Sequence, residues 1–328
     1  MYKRQVHYIL ERFFGEYTKE EYLSLEEDKF QKIVCAYLAE YAVKYFGEEQ
    51  LESNSFTYRL KTILDNVMYL MKHIMEELSQ SEFFVADCEL KIGEDIPSYT
   101  IVLPDGHKIA VCGSVDRVDI MQRADITYLR IIDYKTGTKQ FKLSDILYGI
   151  NLQMLLYLHS IEASGGDKYG EIVPAGILYM PATVPYISSD SLKSIDKLPD
   201  ELNKKLKMNG LLLKDTEIIH GMDKTDVATY IPVKIKAGEP VSSTSLATLA
   251  EFGKIFKKVD MLIAEMGKNI YNGNIEAKPL KGGHDSCEYC PYDSVCAYRQ
   301  SNPITCFSVD NKTVIEEITN EINGKEEE

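Results

Sequence analysis

The stretch "RIIDYKTG", residues 130–137, carries an apolar run into an acid and a base, Asp133 and Lys135. Side chains alternate across a strand, so these two share one face. Just upstream, "GSVDRVD" (residues 113–119) places Asp116 near the end of a neighbouring strand, where two carboxylates stand close enough to share an ion. Mg2+ prefers oxygen ligands in near-octahedral geometry and takes one or two protein carboxylates plus water and phosphate oxygens. Lys135 would then stand beside the attacking water and a scissile phosphate, orienting the nucleophile and offsetting charge as it accumulates on phosphorus. A nearby divalent cation also disfavours the ammonium form, which eases proton exchange. That is the chemistry of phosphodiester hydrolysis. The same residues also admit a simpler reading, in which Asp116, Arg117, Asp133 and Lys135 make a solvated ion-pair cluster at a sheet edge, and spacing alone leaves both open.

A second set of reactive side chains lies near the C-terminus. Cys287, Cys290 and Cys296 follow the spacing C-x2-C-x5-C, and thiolates so placed on a short loop can converge on an iron–sulfur cluster or on zinc. His284 stands three residues before Cys287, so a Cys3His zinc site is chemically accessible. Seven cysteines, an odd number with three crowded into "CEYCPYDSVC", point to metal binding rather than disulfides.

The elements that must position these groups show in the hydrophobic period. Residues 1–83 are helical, with "VHYILERFF", "EEDKFQKIVCAYLAEYAVKYF" and "YRLKTILDNVMYLMKHIMEEL" spaced at three and four. From Phe84 the period becomes two, through "FVADCELKI", "SYTIVL", "KIAVCGSVDRVDI" and "ITYLRIIDYKTG", with a hairpin turn at Asp105-Gly106, so a mostly antiparallel meander is expected. A helix opening on Ser144 as N-cap and a buried strand "VPAGILYM" follow, completing a core over residues 84–185. Residues 186–246 are choppier and read as an insertion lobe. Residues 247–306 hold a long helix ending at Gly273 and the cysteine cluster, and residues 307–328 form an acidic tail. Helices, strands, helix and strand in that order fit a mixed α/β core.

Composition narrows the function. The 328 residues, 45% of them hydrophobic, can bury a large core, while 37 basic against 51 acidic residues give a net charge of -14 and argue against indiscriminate polyanion binding. No run is apolar enough to span a bilayer, the start lacks a signal peptide's features, and a cytoplasmic location is expected.

Three ordered motifs resemble the PD-(D/E)XK nuclease superfamily, in the branch holding the nuclease domains of RecB-type and AddAB-type helicase-nucleases. There a "G-x-x-D-R-x-D" strand precedes a "D-Y-K-T-G" strand and a helix with "G-x-x-x-Q-x-x-x-Y"; this chain has "GSVDRVD", "DYKTG" and "GINLQMLLY". The resemblance implies a restriction-endonuclease-like α/β core in which Asp116 and Asp133 ligate Mg2+, Lys135 positions or activates water, and Gln153 and Tyr157, four apart on one helix face, contact phosphate or the metal's ligands. It also implies that His7, in "VHYILERFF", completes the metal shell, although the glycine expected before it is absent, and that Glu89 in "CELKIG" is a further acid of that shell. "CEYCPYDSVCAY" looks like the end of AddB nuclease domains, where three such cysteines and one upstream cysteine hold a [4Fe-4S] cluster. Here only six residues precede His7, which reads as a fragment beginning inside the nuclease domain. The fourth ligand is then missing or supplied by Cys35, whose apolar neighbours favour a core role; Cys88, Cys112 and Cys306 read as structural.

The reading that results is a Mg2+-dependent DNA exonuclease domain, working with an AddA-like helicase-nuclease subunit at double-strand-break ends in recombinational repair. Nothing resembles a Walker A loop, so ATP use would belong elsewhere. The rival is a silent DNA-binding or partner-binding scaffold with an iron–sulfur or zinc staple.

Overall fold

The computed structural model of the chain describes residues 2–137, 140–185, 187, 198–242, 244–292, 294–296 and 303–326. Five helices open it: α1 (Tyr2–Glu16), α2 (Lys19–Leu23), α3 (Glu27–Phe46), α4 (Glu48–Leu51) and α5 (Asn54–Ser79). Each long helix buries the stripe its spacing dictates, as with Val6, Ile9, Leu10 and Phe13 on α1 and Val67, Leu70, Met71, Ile74 and Leu78 on α5. Thr18 starts α2 with a reciprocal cap to Glu21.

The strands β1 (Phe84–Ile92), β2 (Tyr99–Val102), β3 (Lys108–Val111), β4 (Gly113–Arg123) and β5 (Ile126–Lys135) follow. Next come α6 (Gln153–Ser164), α7 (Gly166–Tyr169), β6 (Glu171–Pro181), α8 (Leu198–Leu206), β7 (Asn209–Leu213), α9 (Thr216–Met222), β8 (Lys234–Lys236), β9 (Glu239–Val241) and β10 (Leu246–Ala247). The chain ends with α10 (Leu249–Tyr271), β11 (Leu280–Gly282), β12 (Ile304–Cys306) and α11 (Asn311–Glu326).

A six-stranded mixed sheet in the order β1-β4-β5-β6-β7-β10 forms the centre. β1, β4 and β5 pair antiparallel, whereas β5 and β6 run parallel, and so the chain must cross over between them through α6. The expected meander therefore holds for β1, β4 and β5 only. β2 and β3 leave it as a separate hairpin closed at Asp105-Gly106, where Leu103 N–H donates to the His107 carbonyl.

Three further expectations change. Ser144 does not cap the crossover helix: it lies buried in a 3-10 turn, Leu143–Tyr148, which ends at left-handed Gly149, and α6 begins only at Gln153. Gly149 permits the break, because only glycine adopts that backbone without a side-chain penalty. The choppy region is not apart from the core, since β7 and β10 extend the central sheet; residues 186 and 188–197 lie outside the described part. Gly210 explains "KMNGLLL", because a Cβ there would lie 1.9 Å from the Ile177 carbonyl oxygen of β6. Lastly, the acidic tail folds as α11 and buries Val314, Ile318 and Ile322, three residues spaced by four. The long helix α10 is as expected, capped by Thr248 with Glu251 and followed by Gly273 at φ +66°.

Candidate active site

β4 and β5 sort their charged residues by alternation. Arg117 pairs with Ile132 and Asp119 with Arg130, so extending that register sets Asp116 opposite Asp133. Opposed residues of an antiparallel pair point the same way, which puts the two carboxylates and Lys135 on one face. The other face carries Arg117, Asp119 and Arg130, all fully buried, and α5 adds Glu77 to them. Arg117 donates to both oxygens of Asp119 at 2.6 Å and to Glu77 at 3.0 Å; Arg130 donates to Glu77 at 2.5 Å and Asp119 at 3.0 Å. Against its burial, the two guanidinium groups hold Asp119 ionised, with its carboxyl below the usual range. The ion-pair reading of the sequence thus splits in two: Arg117 belongs to a buried lattice, and Asp116, Asp133 and Lys135 stand apart from it.

On the Asp116 face three groups converge. His7 of α1, Glu89 of β1 and Asp116 of β4 place their ligating atoms within 4.8 Å of one another, the one such trio of His, Cys, Asp and Glu among the described residues. His7 Nδ1 lies 2.6 Å from Glu89 Oε1 and 3.6 Å from Asp116 Oδ1. Ser114 Oγ donates to the second Glu89 oxygen at 3.0 Å, and Tyr134 N–H donates to Asp116 Oδ2 at 2.9 Å. Glu89 adopts φ +53°, a left-handed backbone that costs a non-glycine residue about 1 kcal/mol or more, and strain of this kind gathers at functional sites.

Burial and neighbouring charges compete at each member of the trio. Burial is the largest influence on Asp116 and raises its pKa to about 6; His7 pulls it down and the Asp133 charge pushes it up again. Burial would lower the His7 pKa, yet the hydrogen bond to Glu89 and the Asp116 charge raise it. Burial likewise opposes ionisation of Glu89, and His7 and Ser114 reverse that. The raised pKa favours an imidazolium at His7 beside the two carboxylates. Among the described residues Asp133 Oδ2 is buried without a hydrogen bond and forms an ion pair with the Lys135 ammonium, 2.5 Å away. One imidazole and two or three carboxylates suit a hard or borderline divalent ion, so these residues fit the expected metal.

Lys135 also lies over the Tyr179 ring, 5.2 Å from its centroid, a contact the sequence did not announce. Gln153 Nε2 reaches the Tyr157 hydroxyl at 3.5 Å, as i,i+4 neighbours on α6. That hydroxyl packs on Gly113, where a Cβ would sit 2.1 Å from it, so a larger residue at position 113 would have to displace the Tyr157 ring.

The cysteine loop is framed by β11 and β12, which pair in parallel with Gly282 opposite Cys306. Cys287 and Cys290 are half-buried in turns and Cys296 is exposed. No three thiols lie within 4.8 Å of one another among the described residues, and His284 joins no such group. Tetrahedral zinc with bonds near 2.3 Å would need closer thiols than this, and a [4Fe-4S] cluster would need a fourth. Cys35 is half-buried in α3, Cys88 lies in β1, and Cys112 approaches Ser98 Oγ at 3.4 Å. The loop as it stands does not gather a complete donor set for either group.

Comparison with known proteins gives the family. The sequence pattern of the PD-(D/E)XK nuclease superfamily matches residues 4–297. The chain is 38% identical over 246 residues to an ATP-dependent helicase/deoxyribonuclease subunit of Thermoanaerobacter sp. (strain X514), covering 73% of this chain and 21% of that protein. It is 32% identical over 335 residues to the protein of that name from Alkaliphilus oremlandii, covering 97% and 29%. For the one from Clostridium kluyveri the figures are 36% over 281 residues, covering 83% and 24%. The chain thus spans less than a third of the length of these relatives. With the superfamily's pattern running from α1 to the cysteine loop, the chain belongs to the PD-(D/E)XK nuclease superfamily.

Proposed function

We propose that the chain is a Mg2+-dependent DNA exonuclease module of a helicase-nuclease, acting with a second, AddA-like subunit on the ends of broken DNA during recombinational repair. The observation that carries this reading is the His7, Glu89 and Asp116 trio, with Asp133 and Lys135 on the adjoining strand. The relatives' name, which joins a helicase to a deoxyribonuclease as a subunit, supports the substrate and the partnership.

His7, Glu89, Asp116 and Asp133 would hold the cation. When bound, a divalent ion lowers the pKa of an attacking water and offsets charge on the scissile phosphate. Lys135, released from Asp133, orients the water and donates a positive charge toward the phosphoryl oxygens. Tyr179 limits where its ammonium can swing. Gln153 and Tyr157, neighbours on α6, would contact substrate phosphate or the metal's ligands. Asp116 and Glu89 are held in place by the Tyr134 amide and by Ser114 respectively. The cysteine loop takes no part in this reaction. In this reading Cys287, Cys290 and Cys296 would be three ligands of an iron–sulfur staple that needs a fourth, and visible absorbance from sulfur-to-iron charge transfer would reveal it.

Manganese titration followed by electron paramagnetic resonance tests the metal centre without relying on turnover. The parent is expected to bind the ion, and Asp116→Asn or His7→Ala, each checked for folding, to weaken it by roughly 10- to 100-fold. Equal affinity in parent and both variants would refute the assignment.

A further inference from the structure

The trio of His7, Glu89 and Asp116 lies beside an open groove of the surface. This cleft, of about 530 Å³, has His7 and Glu89 in its wall and α1, α3 and β1 around it. The opposite wall is aromatic. Tyr41 is buried and supports two neighbours, Tyr8 at 5.2 Å between ring centroids and Tyr45 at 4.5 Å. Tyr45 is outermost and 55% exposed. The Lys44 ammonium lies 5.6 Å from the Tyr8 ring and 5.4 Å from that of Tyr45. Lys3, Arg4 and Lys91 also line the cleft, so cations surround it in a chain whose net charge is -14. Acids are present too: Glu40 accepts from Tyr8, Lys91 is paired with Glu94, and Glu11 faces the cleft.

We infer that this cleft guides a single nucleic-acid strand to the metal centre, with Tyr45 as the platform on which a base stacks and with Lys44, Lys3 and Arg4 as partners for its phosphates. The inference rests on the nuclease reading for its direction, and deepens it by naming the path of the substrate. Exposed aromatic rings interleaved with cations are how proteins hold single strands without reading sequence, because every base has a face to stack and every nucleotide a phosphate. Base, ring and cation would then lie at one end of the cleft, and the reactive carboxylates at the other.

Binding of fluorescently labelled oligothymidylate to the full chain, measured by anisotropy in EDTA so that no cleavage intervenes, tests this directly. Tyr45→Ala is expected to weaken binding about tenfold, the worth of one lost stacking contact, while Tyr45→Phe keeps the ring and the affinity. Lys44→Ala is expected to lower the slope of log affinity against log salt by about one. Photocrosslinking with an iodouracil-bearing strand supplies a second readout that needs no variant, and the crosslink is expected within α3 around Tyr45. No binding by the parent, unchanged affinity in Tyr45→Ala, or crosslinks that avoid α3 would each overturn the inference. The two readings fail separately: a chain that cuts DNA with Mg2+ while Tyr45→Ala binds as the parent loses the guide and keeps the nuclease, whereas binding through Tyr45 without cleavage keeps the guide and loses the nuclease.

Discussion

Asp116 and Asp133 were readable from sequence because their positions follow from local rules: two neighbouring strands, a period of two, and antiparallel pairing. Glu89 was readable only through family resemblance, since an acid in "CELKIG" looks like any exposed strand residue until its φ of +53° turns it toward His7. Arg117 was misplaced among the solvated charges, because its partner Glu77 lies 40 residues upstream on α5 and no spacing rule connects them. Removing one partner from such a dry lattice strands the opposite charges. Glu77→Ala is accordingly expected to destabilise the fold by about 3–5 kcal/mol in chemical denaturation. A loss under 1 kcal/mol would show that the lattice relaxes or hydrates easily.

Elements carry their own consequences. α6 bears Gln153 and Tyr157 on one side and His159 on another, where the imidazole stacks on Phe256 of α10 and meets Asp260, Glu162 and Tyr99 of β2. Burial would depress the His159 pKa, but hydrogen bonds to Asp260 and Glu162 and their charges push it up to about 9. A group whose pKa is raised on folding stabilises fully below its unfolded value, near 6.5, and that contribution is lost as pH rises through about 9. The melting temperature is therefore expected to fall between those limits, and His159→Gln to flatten the fall; parallel profiles for the two proteins would contradict the assignment. α11 escaped the sequence reading because Glu316, Glu317 and Glu321 hid a buried stripe of Val314, Ile318 and Ile322. Ile318→Ala is expected to cost about 2–5 kcal/mol, a core penalty that a loose tail would not show in thermal melts.

At the scale of the whole molecule, the mixed α/β class and the central sheet were legible, since a change of period from three and four to two marks where helices give way to strands. The incorporation of β7 and β10 was not, because their partners are set by long-range pairing and a lone glycine, Gly210, whose reason is the carbonyl of Ile177. No helix among the described residues is long and apolar enough to cross a membrane. The charge of the chain is unevenly spread: Lys3, Arg4 and Lys91 line the cleft beside Tyr45 in a chain whose net charge is -14. The central claim is that Asp133 and Lys135 form a working centre. It is tested most directly by Mg2+-dependent degradation of end-labelled single-stranded DNA by the parent, Asp133→Ala and Lys135→Ala, each verified as folded. Cleavage by the parent that requires metal and drops at least roughly 100-fold in both variants is the expected result. A folded parent that binds DNA and metal yet never cuts, or variants that cut as the parent does, would contradict it.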